Sequence, residues 1–145
     1  MRYWLFKSEP SDWSWDDQVA KGDRAEEWTG VRNYQARNMM REMEMGDLGF
    51  FYHSQKERAI VGIVEVTQAA HPDPSAGDDD RWDCVSVRAV RSLPRPVTLD
   101  QVKADARLAE MALVRAPRLS VQPVDAEAWR AILELGGLDG GDHFS

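Results

Sequence analysis

The residues best equipped for chemistry fall between Trp28 and Asn38, a stretch reading Trp-Thr-Gly-Val-Arg-Asn-Tyr-Gln-Ala-Arg-Asn. Tyr34, Arg37, Asn38 and Arg41 recur at helical spacing, which puts an aromatic ring, two guanidinium groups and a carboxamide on one arc. Trp28 and Arg32 lie in the approach to that helix. An indole or phenol face stacks on a flat heterocycle, an amide matches the edge of a base, and a guanidinium forks onto phosphate. The pattern points to recognition of bases and phosphates, although a merely solvated helix presents the same polar face.

Catalytic candidates are fewer. Lys7 beside Glu9 would make an acid–base couple if desolvated, or an ordinary surface ion pair. Cys84, Ser8 and Ser54 are the nucleophile candidates, with His53, His71 and His143 as the available bases. Of these, His53 is the best placed, at the end of a predicted strand, where it lines a pocket mouth or makes a hydrogen bond within the fold. The acids of the segment 71–80 lack the spacing of a calcium loop, so no metal site is expected.

These residues need elements to hold them. Asn33 caps a helix from Tyr34, whose inward stripe is Ala36, Met39, Met40 and Met43, broken by Gly46-Asp47. Arg2 to Lys7 reads as a first strand stopped at Pro10. Ser14 caps a short helix from Trp15 to Lys21, with Trp13 and Trp15 as packing residues, and an extended segment follows from Arg24 to Trp28. Leu48 to His53 and Ile60 to Thr67 form a hairpin. In its second strand Ile60, Gly62, Val64 and Val66 face opposite to Val61, Ile63, Glu65 and Thr67. The segment 71–80, with two prolines and three consecutive aspartates, reads as a mobile loop. Cys84 to Val90 is a strand ended by Pro94 and Pro96, Thr98 with Gln101 is a capping box, and Arg118 to Gln122 is a last strand between Pro117 and Pro123. Asp125 caps a helix that buries Trp129, Ile132 and Leu133. Five or six strands among unequal helices predict an α+β chain built on a small mixed β-barrel.

At 145 residues the chain suits one domain. We expect it to span 1–138, with 139–145 a flexible tail. A single cysteine rules out an internal disulfide framework, and no apolar run reaches the length of a membrane span, so a cytoplasmic monomer is expected. The net charge of −7 argues against gripping long duplex. That charge is segregated: residues 9–27 hold seven acids and two bases, whereas 28–41, 84–99 and 111–124 hold bases and no acids. A local basic face on an acidic body suits a small nucleic-acid footprint.

Tyr3-Trp4-Leu5-Phe6-Lys7-Ser8-Glu9-Pro10, the stretch 28–38, Phe51-Tyr52-His53-Ser54 and Arg118-Leu119-Ser120-Val121-Gln122-Pro123 together resemble the EVE domain, as in the thymocyte nuclear protein family. The resemblance runs from Arg2 to about Leu135. It implies a PUA-like pseudo-barrel akin to YTH domains, and a reader of modified bases, chiefly modified cytosine in DNA, without cofactor or catalysis. RNA remains the other nucleic-acid partner. By that resemblance Lys7, Ser8, Glu9, Trp28, Asn33, Tyr34, Tyr52, His53, Ser54 and Ser120 surround the base. Arg32, Arg37, Asn38, Arg41 and Arg118 would meet the backbone. Gly49 departs from the bulkier residue more usual in the family, which implies looser packing there. A hydrolase of the ASCH kind, using Lys7 and Glu9, and a domain binding a peptide or metabolite are the alternatives. Trp28→Ala is expected to weaken binding by roughly tenfold or more with little change in fold. Four arginines, Arg32, Arg37, Arg41 and Arg118, predict a salt slope on the order of −2 to −4.

Overall fold

The computed structural model describes residues 1–139, so most of the expected tail lies outside the described residues. In chain order the elements are β1 (Tyr3–Ser8), α1 (Trp15–Ala20), β2 (Glu26–Glu27), α2 (Tyr34–Glu42), β3 (Leu48–His53) and β4 (Ala59–Pro72). They continue with β5 (Asp83–Thr98), α3 (Leu99–Ala104), α4 (Ala112–Arg115), β6 (Val121–Val124) and α5 (Ala126–Leu135). Short 3₁₀ turns cover Pro74–Ala76 and Ala106–Leu108.

The six strands form one mixed sheet in the order β2-β5-β4-β3-β1-β6. β1 and β3 run parallel, with Lys7 beside Tyr52 and Ser8 beside His53. The α+β class and strand number agree with the sequence reading, but the hydrogen-bonded sheet does not close into a barrel. It curls instead: the Phe6 ring on β1 meets the Trp28 ring just beyond β2 at 5.2 Å, across three intervening strands. Side-chain packing closes what the ladder leaves open.

Both faces of the sheet are buried, which is why β1 and β3 read as nearly continuous apolar runs. On one face Leu5, Phe50, Tyr52, Ile60 and Ile63 pack with α3 and α5 through Val102, Trp129 and Ile132. On the other, Trp4, Phe6, Phe51, Val64 and Val85 pack with α1 and α2 through Trp15, Ala36 and Met40. The capping box at Thr98 and the caps at Ser14, Asn33 and Asp125 form as predicted, and Ser14 adds a reciprocal bond with Asp17 that completes a second capping box. Gly22 and Gly137 adopt φ of 58° and 92° just past α1 and α5, a conformation glycine tolerates best.

Four local expectations change. Register shifts around Gly62 interrupt the alternation of β4, so Val61, Val64 and Val66 share one core while Ile60 and Ile63 serve the other. β5 continues through Pro94 and Pro96, because both fall between the pairs Gly62↔Ser92 and Ile60↔Val97, where no ladder donor is required. The last strand starts at Val121 and includes Pro123, which an edge strand accommodates. Gly49 is not a loose spot: a Cβ built there would lie 2.5 Å from Phe6 Cε2, so the missing side chain makes room for that ring.

The expected mobile loop at 71–80 is largely tied down. β4 extends to Pro72, and Asp73 is 2% exposed. Asp73 Oδ2 accepts from the Gly30 N–H at 2.9 Å and from Arg32 Nη1 at 3.1 Å, while Oδ1 accepts from Ser75 N at 2.7 Å and Oγ at 2.6 Å. The Ser75 bonds are local, but composition could not anticipate those from Gly30 and Arg32, which come from a segment about forty residues away.

Candidate nucleic-acid interface

An open cavity of about 390 Å³ lies where the end of β1 faces β2, within the range of small-ligand sites. Lys7, Ser8, Glu9, Asp12, Trp13, Glu26, Glu27, Trp28 and Thr29 line it. Lys7 and Ser8 are positioned by the β1·β3 ladder, and the Lys7 N–H donates to the Ser120 carbonyl at 2.9 Å. β2 pairs with β5 through Glu26↔Val87 and Glu27↔Ser86, and the Trp28 N–H donates to the Val85 carbonyl at 2.8 Å. Trp28 is 7% exposed and lies edge-on to Phe6 and Phe51, so one part of the indole is core and the remainder is cavity wall.

Trp13 is a second indole on the cavity. Its Nε1 donates to the buried Gln18 Oε1 at 2.9 Å, and its carbonyl accepts from Ser8 Oγ at 2.5 Å. It packs against the core, as the sequence suggested, and its place on the cavity is additional. The usable signal was the acid-rich segment 9–27, which folds around this cavity and supplies Glu9, Asp12, Glu26 and Glu27. Lys7 is the one base among the lining residues. Its Nζ donates to the Pro117 carbonyl at 2.6 Å, and burial lowers its pKa from the usual lysine value. Glu9 accepts from Gln55 Nε2 at 3.3 Å, and among the described residues Lys7 and Glu9 form no ion pair.

An acidic, aromatic cavity discriminates by charge. It disfavours a phosphate and favours a flat group that presents N–H donors, such as the exocyclic amino edge of a base.

Of the base-contact residues named from sequence, the fold brings Lys7, Ser8, Glu9 and Trp28 together on this cavity and places the rest elsewhere. Tyr52 faces the opposite core at 4% exposure, where burial raises its pKa against the opposing field of Arg58. His53 is 8% exposed and structural: Nε2 accepts from the Trp15 N–H at 2.9 Å, so Nδ1 carries the proton shared with Glu57 at 2.8 Å. The two are neighbours on β3 and point to opposite faces: Tyr52 enters the core away from the cavity, and His53, on the Phe51 side, is taken up by Trp15 and Glu57. Ser54 and Ser120 touch the site through the backbone, the Ser54 N–H donating to the Ser8 carbonyl at 2.9 Å. Asn33 is the cap of α2 and borders a separate shallow groove with Arg118. Tyr34 is 50% exposed and stacks on Trp82 at 4.8 Å.

The backbone candidates divide by their partners. Arg32 pairs with Asp73 and its guanidinium lies 5.5 Å from the Trp82 ring, and Arg41 pairs with Asp83 at 2.6 Å. Among the described residues Arg37 donates to neutral acceptors, the Arg81 carbonyl and Asn38 Oδ1, and it covers the Tyr34 ring at 4.8 Å. Arg118 has no ion pair among the described residues and is exposed. A larger groove of about 670 Å³ beside α4 and β6 is lined by none of the base-contact or backbone-contact residues expected from sequence.

Comparison with known proteins agrees with this architecture. A protein of Agrobacterium tumefaciens known by crystal structure is 56% identical with a TM-score of 0.94, covering 95% of this chain and 94% of that one. Mouse thymocyte nuclear protein 1 is 37% identical over 164 residues, which span 92% of this chain and 73% of the mouse protein. Human THYN1, solved in complex with DNA containing 5-methylcytosine, is 31% identical with a TM-score of 0.89, covering 96% of this chain and 99% of that one. A YTH domain from Zygosaccharomyces rouxii, 16% identical with a TM-score of 0.59 over 95% of this chain and 88% of that one, shares the fold. The EVE domain model matches residues 2–135, and the chain belongs to the EVE domain family.

Proposed function

We propose that this protein reads a modified base, modified cytosine in DNA above all, by holding it flipped out of the helix in the cavity between β1 and β2. The observation that carries the reading is the likeness to human THYN1, a protein solved on 5-methylcytosine DNA, together with an acidic aromatic cavity in this chain. Trp28 and Trp13 would offer flat walls for the base. Glu9, Glu26 or Glu27 would accept from an exocyclic amino group. Arg37 and Arg118, which lack carboxylate partners among the described residues, would meet the phosphates outside. A flipped base is read in this way by stacking and edge hydrogen bonds, and extraction costs least where pairing is already weak.

The proposal includes release of the base unchanged. A binding series on matched oligonucleotides carrying cytosine or 5-methylcytosine tests it, followed by recovery of the ligand. Preferential binding of the modified strand and intact recovery support the reading. Equal affinity for both strands refutes selectivity, and a cleaved or altered base would return the ASCH-like hydrolase, with Lys7 and Glu9 as its working groups.

A further inference from the structure

At the cavity wall, where Glu27 belongs to the lining, three side chains from three adjacent strands converge on one point. Glu27 ends β2, His71 lies near the end of β4 and Cys84 near the start of β5. Cys84 Sγ is 3.4 Å from His71 Nε2 and 3.7 Å from Glu27 Oε2, and His71 Nε2 is 2.9 Å from Glu27 Oε2. Among the described residues this is the group of His, Cys and carboxylate side chains close enough to share one ion.

The arrangement differs from a nucleophilic relay. In a relay the carboxylate orients the histidine through one ring nitrogen while the other faces the nucleophile. Here sulfur and carboxylate both face Nε2, and Nδ1 is turned to the Ala69 carbonyl at 2.9 Å. Cys84 is fully buried, and burial, followed by the carboxylates of Glu27, Asp73 and Asp83, pushes its thiol up to about 12. A thiol so protected makes a poor nucleophile.

Convergence on one nitrogen, with the second nitrogen donating to a backbone carbonyl, is the arrangement by which a protein presents histidine to a metal. The distances agree with it. Tetrahedral Zn²⁺, with bonds of about 2.3 Å to sulfur and about 2.0 Å to nitrogen and oxygen, separates its ligands by about 3.5 Å (S to N or O) and about 3.3 Å (N to O). Each of the three distances here lies within roughly 0.4 Å of those values. The negative field that disfavours a bare thiolate is one that a divalent cation would compensate. The His71 and Glu27 side chains are 20% and 46% exposed, which leaves a path from solvent.

We propose that Glu27, His71 and Cys84 form a Zn²⁺ site with one position left for water. Binding exchanges the Cys84 S–H bond for an S–Zn bond. The thiol proton passes to solvent, as does the Nε2 proton of any His71 that was protonated, and no group is oxidised.

The test is titration of the chelator-stripped full chain with Co²⁺ and then Zn²⁺. The expected result is one equivalent of Co²⁺ with a tetrahedral visible spectrum and a thiolate-to-cobalt charge-transfer band, both abolished by Zn²⁺. Cys84→Ser should lose the charge-transfer band, and His71→Ala should weaken Co²⁺ binding at least tenfold. Because Cys84 is buried, circular dichroism accompanies the measurement; if that variant misfolds, His71→Ala decides. The proposal is overturned by the absence of a charge-transfer band in the folded wild-type chain, by an octahedral spectrum without sulfur, or by unchanged affinity in His71→Ala. None of these readouts depends on DNA.

Discussion

The Phe6 and Trp28 rings meet edge-on at 5.2 Å although the strands beside them are separated by three others in the sheet. This contact holds the curl that brings β2 over the end of β1, so a proposed base-stacking residue is also a support of the fold. Removing a buried tryptophan costs about 3–5 kcal/mol. Trp28→Ala therefore does more than empty a cavity wall, contrary to the expectation from sequence.

Trp13 offers the cleaner test of stacking, because it is half-buried and lines the same cavity. Stacking one base on an aromatic ring is worth about 1–3 kcal/mol, or roughly 5- to 150-fold in affinity. Trp13→Ala should lose that much affinity for a 5-methylcytosine oligonucleotide, with a smaller stability loss than Trp28→Ala by urea unfolding. Undiminished affinity would remove Trp13 from the site.

Asp73 should prove a stability residue. Its carboxylate accepts from Gly30, Arg32 and Ser75, and although burial opposes ionisation, those hydrogen bonds hold its pKa below the ordinary 3.8. Asp73→Asn turns an amide donor toward donors and should cost about 1–3 kcal/mol at neutral pH. A depressed folded-state pKa contributes stability above 3.8 that is lost as pH falls through the lower folded value. The gap between wild type and Asp73→Asn should accordingly narrow below pH 3.8, measured by denaturant unfolding at several pH values.

Gly49→Ala tests close packing. With a Cβ 2.5 Å from the fully buried Phe6 ring, the strand or the ring must move. A cost of about 1–3 kcal/mol is expected. A neutral or stabilising result in thermal unfolding would restore the looser packing that the sequence suggested.

Salt dependence should be shallower than the arginine count implies. Arg32 and Arg41 already face Asp73 and Asp83, which leaves Arg37 and Arg118 as the cations for phosphate. At about −0.9 per phosphate, two contacts give a slope of log affinity against log salt of about −2 on B-DNA. A slope near −4 would mean that the two ion pairs open on binding.

The sequence alone determined what depends on near neighbours. Helix α2 starts after Asn33 and buries Ala36, Met40 and Met43 because cap and stripe lie within a few residues of one another. The Thr98 capping box, the β3·β4 hairpin and the α5 face were legible for the same reason, and the long motifs pointed to the family. Tertiary structure decided what depends on distant segments. Pairing with β3 and β6 set which face of β1 meets the cavity, and a bulge at Gly62 reassigned the faces of β4. The curl of the sheet brought Glu26, Glu27 and Trp28 to Lys7 and Ser8, whereas Tyr52 and His53, which carry equally suitable chemistry, turned into the fold. Residue type establishes what a side chain can do, but one step of strand register reverses where it points, and register is settled by partners far away in the chain.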